Sequence, residues 1–213
     1  MPQGSVLGPI LFALYVAPVG DVIRAHGIQH HQFADDTQLF FALNAVSYDA
    51  EIRTLESCSC AVQRWFLDND LMLNADKSEV MLAGTNAQLQ KVNDGQTVLV
   101  ANVALPVLSK VKSLGVILDR SLTFKAHVNA VSKTCNYHIW ALRHIRHLLS
   151  QDVAHTLARS IVMSKLDYCN AVLYGSPKTT IAVLQRVQNS LARVVLLQKK
   201  YANASPLLQS ATN

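Results

Sequence analysis

An α+β fold is predicted, with antiparallel hairpins and helices mixed over residues 1–122 and helices alone over residues 123–213. Three observations lead to it. Short β-prone runs bounded by turn residues fall before Leu122, at 33–43, 80–83, 97–100, 103–105 and 111–118. Long apolar stripes at helical spacing follow Thr123. Charge changes with them: residues 1–108 hold 5 Lys/Arg against 11 Asp/Glu, and residues 109–213 hold 14 against 3.

The elements follow in order. Residues 6–17 read as a buried helix with Pro9 in its first turn, and Pro18 restarts the chain as a short helix over 19–25 that Gly27 ends. His31-Gln32-Phe33 and Thr37-Gln38-Leu39-Phe40-Phe41 flank Asp35-Asp36, the pattern of strand, tight turn, strand. Over 48–69, Ile52, Leu55, Cys58 or Ser59, Val62 and Trp65-Phe66 stand at helical spacing and predict an amphipathic helix. A short apolar stretch at 71–74 and a strand at 80–83 come next. The runs 97–100, 103–105 and 111–118 predict a small antiparallel meander with Gly115 in its last strand. Beyond 123, one stripe runs from Val128 through Cys135 and Ile139 to Leu149. Ser150 caps a second helix, carrying Val153, Leu157, Ile161, Leu166 and Leu173, that ends at Gly175. Ser176-Pro177 is an N-cap and first-turn pair for a third, with Ile181, Leu184, Val187 and Leu191.

With 213 residues, half of them hydrophobic, and a formal charge of +5, the chain has enough material for one good core and an appendage. Cys58, Cys60, Cys135 and Cys169 form no CxxC pair and read as buried or idle thiols in a reducing compartment. No basic stretch followed by an apolar run marks a secretory signal. The apolar run 6–19, broken by Pro9 and Pro18, is short for a bilayer. These features lead us to expect an intracellular protein, nuclear or cytoplasmic, with no membrane partner. The basic second half suits a polyanion; a solvated basic surface fits the same residues.

Four groups of residues carry candidate chemistry. Adjacent carboxylates at Asp35 and Asp36 repel unless a cation lies beside them, and hard oxygen donors suit Mg²⁺. A solvated hairpin tip also explains the pair. In Pro2-Gln3-Gly4-Ser5-Val6-Leu7-Gly8-Pro9, Gly4 lets backbone approach a ligand and Gln3 offers an amide that donates and accepts; a plain helix-entry turn with Ser5 as N-cap fits too. Lys77, in Leu73-Asn74-Ala75-Asp76-Lys77-Ser78-Glu79, is either a cation for phosphate oxygens or a solvated turn residue. Lys133, Tyr137, Trp140, His144 and His147 fall on one helical face, where bases and phosphates would find aromatic and basic groups. Packing of Tyr137 and Trp140 between helices is the plainer alternative. The pair His144 and His147 has metal-compatible spacing but no cysteine nearby, and His26, His30 and His31 share that weakness as zinc ligands.

The Pro-Gln-Gly-Ser-Val-Leu-Gly-Pro string followed by Phe33-Ala34-Asp35-Asp36 resembles motifs B and C of reverse transcriptases, in the non-LTR, LINE-type branch and its jockey-like wing. The Leu73–Glu79 stretch resembles motif D, and Ser113-Leu114-Gly115-Val116-Ile117-Leu118-Asp119 the primer-grip strands. Leu166-Asp167-Tyr168-Cys169-Asn170 and Leu184-Gln185-Arg186-Val187-Gln188-Asn189 resemble stretches of the family's thumb. The resemblance implies a partial polymerase palm over 1–122, of antiparallel hairpins with packed helices, and an all-helical thumb over 123–213. It implies RNA-directed DNA synthesis by two-metal nucleotidyl transfer with Mg²⁺, an RNA template, a DNA primer and deoxynucleoside triphosphates. Asp35 is then the metal ligand and Asp36 its weaker partner, with Lys77 serving the departing pyrophosphate. Pro2, Gln3, Gly4, Ser5, Phe33 and Ala34 would lie around the nucleotide, template and primer end. Family members carry a further acid, in motif A, ahead of the Pro-Gln-Gly loop. Only Met1 precedes Pro2, so the expectation is that this chain alone is not a competent polymerase. The alternative is a nucleic-acid-binding remnant without enzymatic role.

Overall fold

Pro9 and Pro18 punctuate the N-terminal apolar run: α1 spans Gly8–Val16 with proline in its first turn, and α2 spans Val19–Ala25. The computed structural model describes residues 6–44, 47–90, 97–199 and 201–203. They divide into two units between Ser109 and Lys110.

In the first unit, α1 differs from expectation. Its residues are apolar all round, yet only Val16 is buried, and Ile10 and Leu14 are 58% and 67% exposed. Hydropathy reports what a segment prefers, not what is there to cover it. The Tyr15 hydroxyl ties α1 down by donating to the Asn69 carbonyl oxygen at 2.8 Å. Taken together, α1 and α2 run from Gly8 to Ala25, beyond the apolar run 6–19, and are long and apolar enough by length and composition alone to cross a bilayer. Val19 and Ile23 of α2 are nevertheless fully buried in a protein core with Ile28, Cys58 and Val62. Gly27, at φ +70°, ends α2 and donates its N–H to the Arg24 carbonyl at 2.9 Å.

β1 (Gln29–Phe33) and β2 (Asp36–Phe40) form an antiparallel hairpin. The amphipathic stripe of residues 48–69 becomes α3 (Tyr48–Asp68). Glu51 ties the preceding chain to its first turn by accepting from Ser47 Oγ at 2.7 Å and from the Asn44 N–H at 2.6 Å. β3 (Val80–Met81), the short α4 (Asn86–Leu89), β4 (Thr97–Val100) and β5 (Val103–Leu108) follow. The sheet order is β3-β5-β4, with β3 parallel to β5 and β4 antiparallel to it. α3 lies along β4: Glu56 Oε1 accepts from the Leu99 N–H at 3.0 Å, and Ser59 Oγ accepts from the Ala101 N–H at 3.2 Å while donating toward the Leu99 carbonyl at 3.3 Å.

The expected meander does not extend to its third strand. Residues 110–119 fold back on themselves as β6 (Lys110–Ser113) and β7 (Val116–Asp119), a separate hairpin within the second unit. Gly115 sits in its turn rather than in a strand. Leu114 and Gly115 have φ of 45° and 83°, the two positive values that a tight primed turn requires. The division between units thus precedes Leu122, where composition changes.

Asp119 closes β7. Its carboxylate accepts from the Thr123 N–H and hydroxyl, both at 3.0 Å, and from the Ser121 N–H at 3.2 Å. Burial pulls its pKa upward, but those hydrogen bonds outweigh it and hold the group below the usual carboxylate range. The bonds brace Leu122 and Phe124, both left-handed, ahead of α5 (Lys125–Ile145).

The helix expected over 150–175 is interrupted. Ser150 Oγ caps α6 (Gln151–Leu157). A π-helical turn, Ala158–Met163, and α7 (Ser164–Asp167) continue it, and the chain then breaks at Cys169, φ 54°. The buried residues Ala154, Ala158, Val162 and Leu166 recur every four positions. A 3.6-residue helix would rotate such a row off the core; the wider π turn takes up the drift. Val153 and Ile161, expected in the stripe, are consequently 46% and 38% exposed. α8 (Lys178–Val195) starts one residue later than expected, with Pro177 at the N-cap, and buries Val187, Leu191 and Val194 against Cys135, Ile139 and Leu142 of α5. All four cysteines are unpaired.

Candidate functional site

The β1–β2 register pairs Phe33 with Asp36, so Ala34 and Asp35 alone make the turn. Ala34 takes φ 53°, a left-handed conformation that is uncommon and strained for a residue with a side chain. The alternation of the strands decides the rest. His30, Gln32, Thr37 and Leu39 face inward and half-buried, and Leu39 packs on the α2–α3 core. Phe33, Asp36 and Phe40 face outward and exposed, with Ala34 and Asp35 exposed at the tip. The hairpin is seated on α2 through His30. Its Nε2 lies 2.7 Å from where a Cβ on Gly20 would stand, so the glycine permits the close approach.

Neither Asp35 nor Asp36 is met by a cationic side chain among the described residues. The donors suit a hard divalent cation, but no cluster of three or more His, Cys, Asp or Glu exists among the described residues. Nearby, Thr37 Oγ1 is buried without a hydrogen-bond partner.

The structure brings Phe33, Ala34, Asp35 and Asp36 onto one turn and leaves Lys77 apart from them. Lys77 ends a 3-10 turn, Ala75–Lys77, with its side chain exposed and no bond to the hairpin. Pro2, Gln3, Gly4 and Ser5 lie outside the described residues. Sequence reading overlooked Gly20 and weighed His30 only as a zinc ligand. A glycine at the second position of an apolar helix and a histidine in an alternating strand are the only signals of that contact.

In the second unit, Lys133, Tyr137, Trp140 and His144 all stand on the exposed side of α5. Tyr137 and Trp140 are 66% and 60% exposed, contrary to packing between helices. The Trp140 and His144 rings lie 4.2 Å apart, and His144 Nδ1 is 2.9 Å from the Trp140 carbonyl oxygen, which holds the imidazole against the indole. His147 is exposed in the following 3-10 turn, Arg146–Leu148. No acidic residue stands between Asp119 and Asp152.

Arg146 behaves differently from the other cations. It is buried, donating through Nε to the Val195 carbonyl at 2.8 Å, through one Nη to the Leu149 carbonyl at 2.9 Å, and through the other to Gln151 Oε1. His127 is also buried, and its Nδ1 accepts from the Ile117 N–H at 3.4 Å. Desolvation holds this imidazole below its ordinary pKa.

The family model for reverse transcriptase (RNA-dependent DNA polymerase) matches residues 1–118, a stretch that contains the carboxylate hairpin. The chain is 27% identical over 204 residues to the RNA-directed DNA polymerase from mobile element jockey of Drosophila funebris, covering 92% of this chain and 21% of the relative. Against the probable RNA-directed DNA polymerase from transposon X-element of Drosophila melanogaster, identity is 27% over 201 residues, with the same 92% and 21% coverage. The corresponding protein from transposon BS of the same fly is 28% identical over 148 residues, covering 67% of this chain and 16% of the relative. The chain thus spans about a fifth of the length of the first two relatives. No solved structure matches.

Proposed function

Because the chain belongs to the reverse transcriptase (RNA-dependent DNA polymerase) family, we propose that it is a segment of a retrotransposon polymerase in which Asp35 and Asp36 bind Mg²⁺. The observation that carries this reading is the pair of exposed carboxylates, unneutralised by any cationic side chain among the described residues, on a strained turn inside the matched stretch. Residues 1–122 are the later part of a palm and residues 123–213 a thumb, serving an RNA template, a DNA primer and deoxynucleoside triphosphates. When bound, Mg²⁺ would neutralise the attacking and leaving oxygens of an in-line phosphoryl transfer.

The chain's own residues have definable tasks. Asp35 and Asp36 hold oxygen donors at a fixed height above the α2–α3 core, because Leu39 anchors one strand and His30 rests on Gly20. Phe33 and Phe40 offer apolar surface on the same outward face as Asp36, where a primer end would lie. Lys77, exposed, serves a phosphate only if substrate binding draws it in. The donor set of two is small for Mg²⁺, so synthesis calls for a further acid from elsewhere.

Mn²⁺ in place of Mg²⁺ tests the site directly. Paramagnetic broadening of amide signals should centre on residues 34–37 and vanish in Asp35→Asn. Broadening centred elsewhere, or untouched by that substitution, would remove the assignment.

A second reading, nucleic-acid binding without synthesis, is favoured by the exposed basic and aromatic side of α5. Lys133 and the neighbouring cations supply phosphate contacts in it. The two readings differ in primer extension on an RNA template with Mg²⁺, which only the first supports.

A further inference from the structure

We propose that the exposed side of α5 binds unpaired bases by stacking on Trp140 and Tyr137, and so selects single-stranded over duplex nucleic acid. The inference rests on the second reading, nucleic-acid binding without synthesis, and specifies the form that the nucleic acid takes.

The rings decide between the two forms. Tyr137 and Trp140 are 66% and 60% exposed on adjacent turns of one helix, about 4.5 Å apart along its axis. Bases within a duplex have their faces covered by their neighbours, and a duplex presents phosphates, sugars and base edges to a helix lying across it. Against such a surface both rings would gain little. An unpaired base offers a full face to either ring, and stacking of that kind tolerates any sequence. His144, held against Trp140 at 4.2 Å between ring centroids, props the indole on one side and leaves the other free.

Charge completes the match. Lys133 lies in line with the rings, Arg143 follows one turn after Trp140, Lys125 opens the helix, and all three are exposed. No carboxylate interrupts the chain from Arg120 to Gln151. A polyanion with splayed bases satisfies both the cations and the rings. An apolar protein surface would satisfy the rings and strand the cations.

The test uses the full chain and two labelled oligonucleotides, a uridine-rich single strand and a blunt duplex of equal phosphate number, followed by anisotropy and tryptophan emission. The single strand should bind more tightly and quench emission. Trp140→Ala should weaken single-strand binding about tenfold, with duplex binding unchanged. Trp140→Phe should keep most of the affinity and lose the quench. Trp140→Ala should also leave the salt slope as it was, whereas Lys133→Ala should reduce it. Equal binding of both oligonucleotides with no effect of Trp140→Ala would overturn the stacking proposal and leave a phosphate-binding face. Failure to bind either at low salt would remove the nucleic-acid reading of α5 along with it.

Discussion

The Tyr168 hydroxyl donates to the Leu114 carbonyl oxygen at 2.6 Å, pinning the turn of the β6–β7 hairpin to the end of α7. The ring lies over Gly115, where an added Cβ would be 3.2 Å from Tyr168 Cε1. Two motifs more than fifty residues apart, Leu-Gly-Val and Leu-Asp-Tyr-Cys-Asn, are therefore two sides of one contact. Gly115→Ala should destabilise the second unit by about 2 kcal/mol, since it combines a left-handed φ with crowding by the ring. Tyr168→Phe should lower the unfolding midpoint by less. Urea unfolding followed by circular dichroism checks both, and a Gly115→Ala midpoint equal to wild type would refute the account.

Arg146 joins the last turn of α8 to the α5–α6 connection with no carboxylate partner among the described residues. Arg146→Met should cost about 3 kcal/mol, because it strips donors from the Val195 and Leu149 carbonyls inside the protein. Arg146→Lys should recover only part, since an ammonium cannot reproduce the planar fork. Retention of full stability by Arg146→Met in denaturant titration would show that solvent reaches those carbonyls.

Acid should loosen the seat of β7 on α5. His127 accepts the Ile117 N–H only when Nδ1 is unprotonated, and burial depresses its pKa. Lys165 and Tyr168 line the small cavity beside it, and neither offers a negative charge to a protonated ring at neutral pH. The unfolded chain takes up the proton near the ordinary imidazole value of about 6.5, before the folded one does. The stability contribution is thus complete above that pH and is lost as pH falls toward the depressed folded value. His127→Asn, which keeps an acceptor without a proton to gain, should flatten this part of the profile. Urea midpoints between about pH 8 and pH 5 measure it, and parallel profiles for the two proteins would count against His127.

Relief of strain at the carboxylate turn offers a fourth check. Ala34→Gly removes the left-handed penalty but loosens the unfolded chain, leaving a net gain of about 0.5 kcal/mol. Broadening by Mn²⁺ at residues 34–37 should persist, because the carboxylates are untouched. A loss of stability on Ala34→Gly would mean that the Ala34 methyl makes contacts worth more than the strain.

Periodicity made much of this legible. The α3 stripe, the caps at Ser150 and Gly27, and the hairpin around Asp35 all follow from spacing and turn chemistry. What escaped depends on partners far away in sequence. A leucine in a left-handed turn looks like a strand residue, so Leu114 concealed the β6–β7 turn. An arginine reads as surface until several carbonyls converge on it, as they do on Arg146. The π turn at 158–163 is visible only once the four-residue recurrence of Ala154, Ala158, Val162 and Leu166 is set against a single core. At the site, the acids could be read from the sequence, whereas the Gly20–His30 seat that sets their height could not.

Glu56 and Ser59 have a consequence for assembly. By engaging the Leu99 and Ala101 N–H groups, with the Ser59 hydroxyl also near the Leu99 carbonyl, α3 covers the C-terminal half of the free side of β4. A strand from another chain finds no open backbone groups at those positions, whereas β3, at the other border of the sheet, is a strand of two residues. Among the described residues, recruitment of a further strand is thereby discouraged on the β4 side and met on the other by a short, weakly templating border.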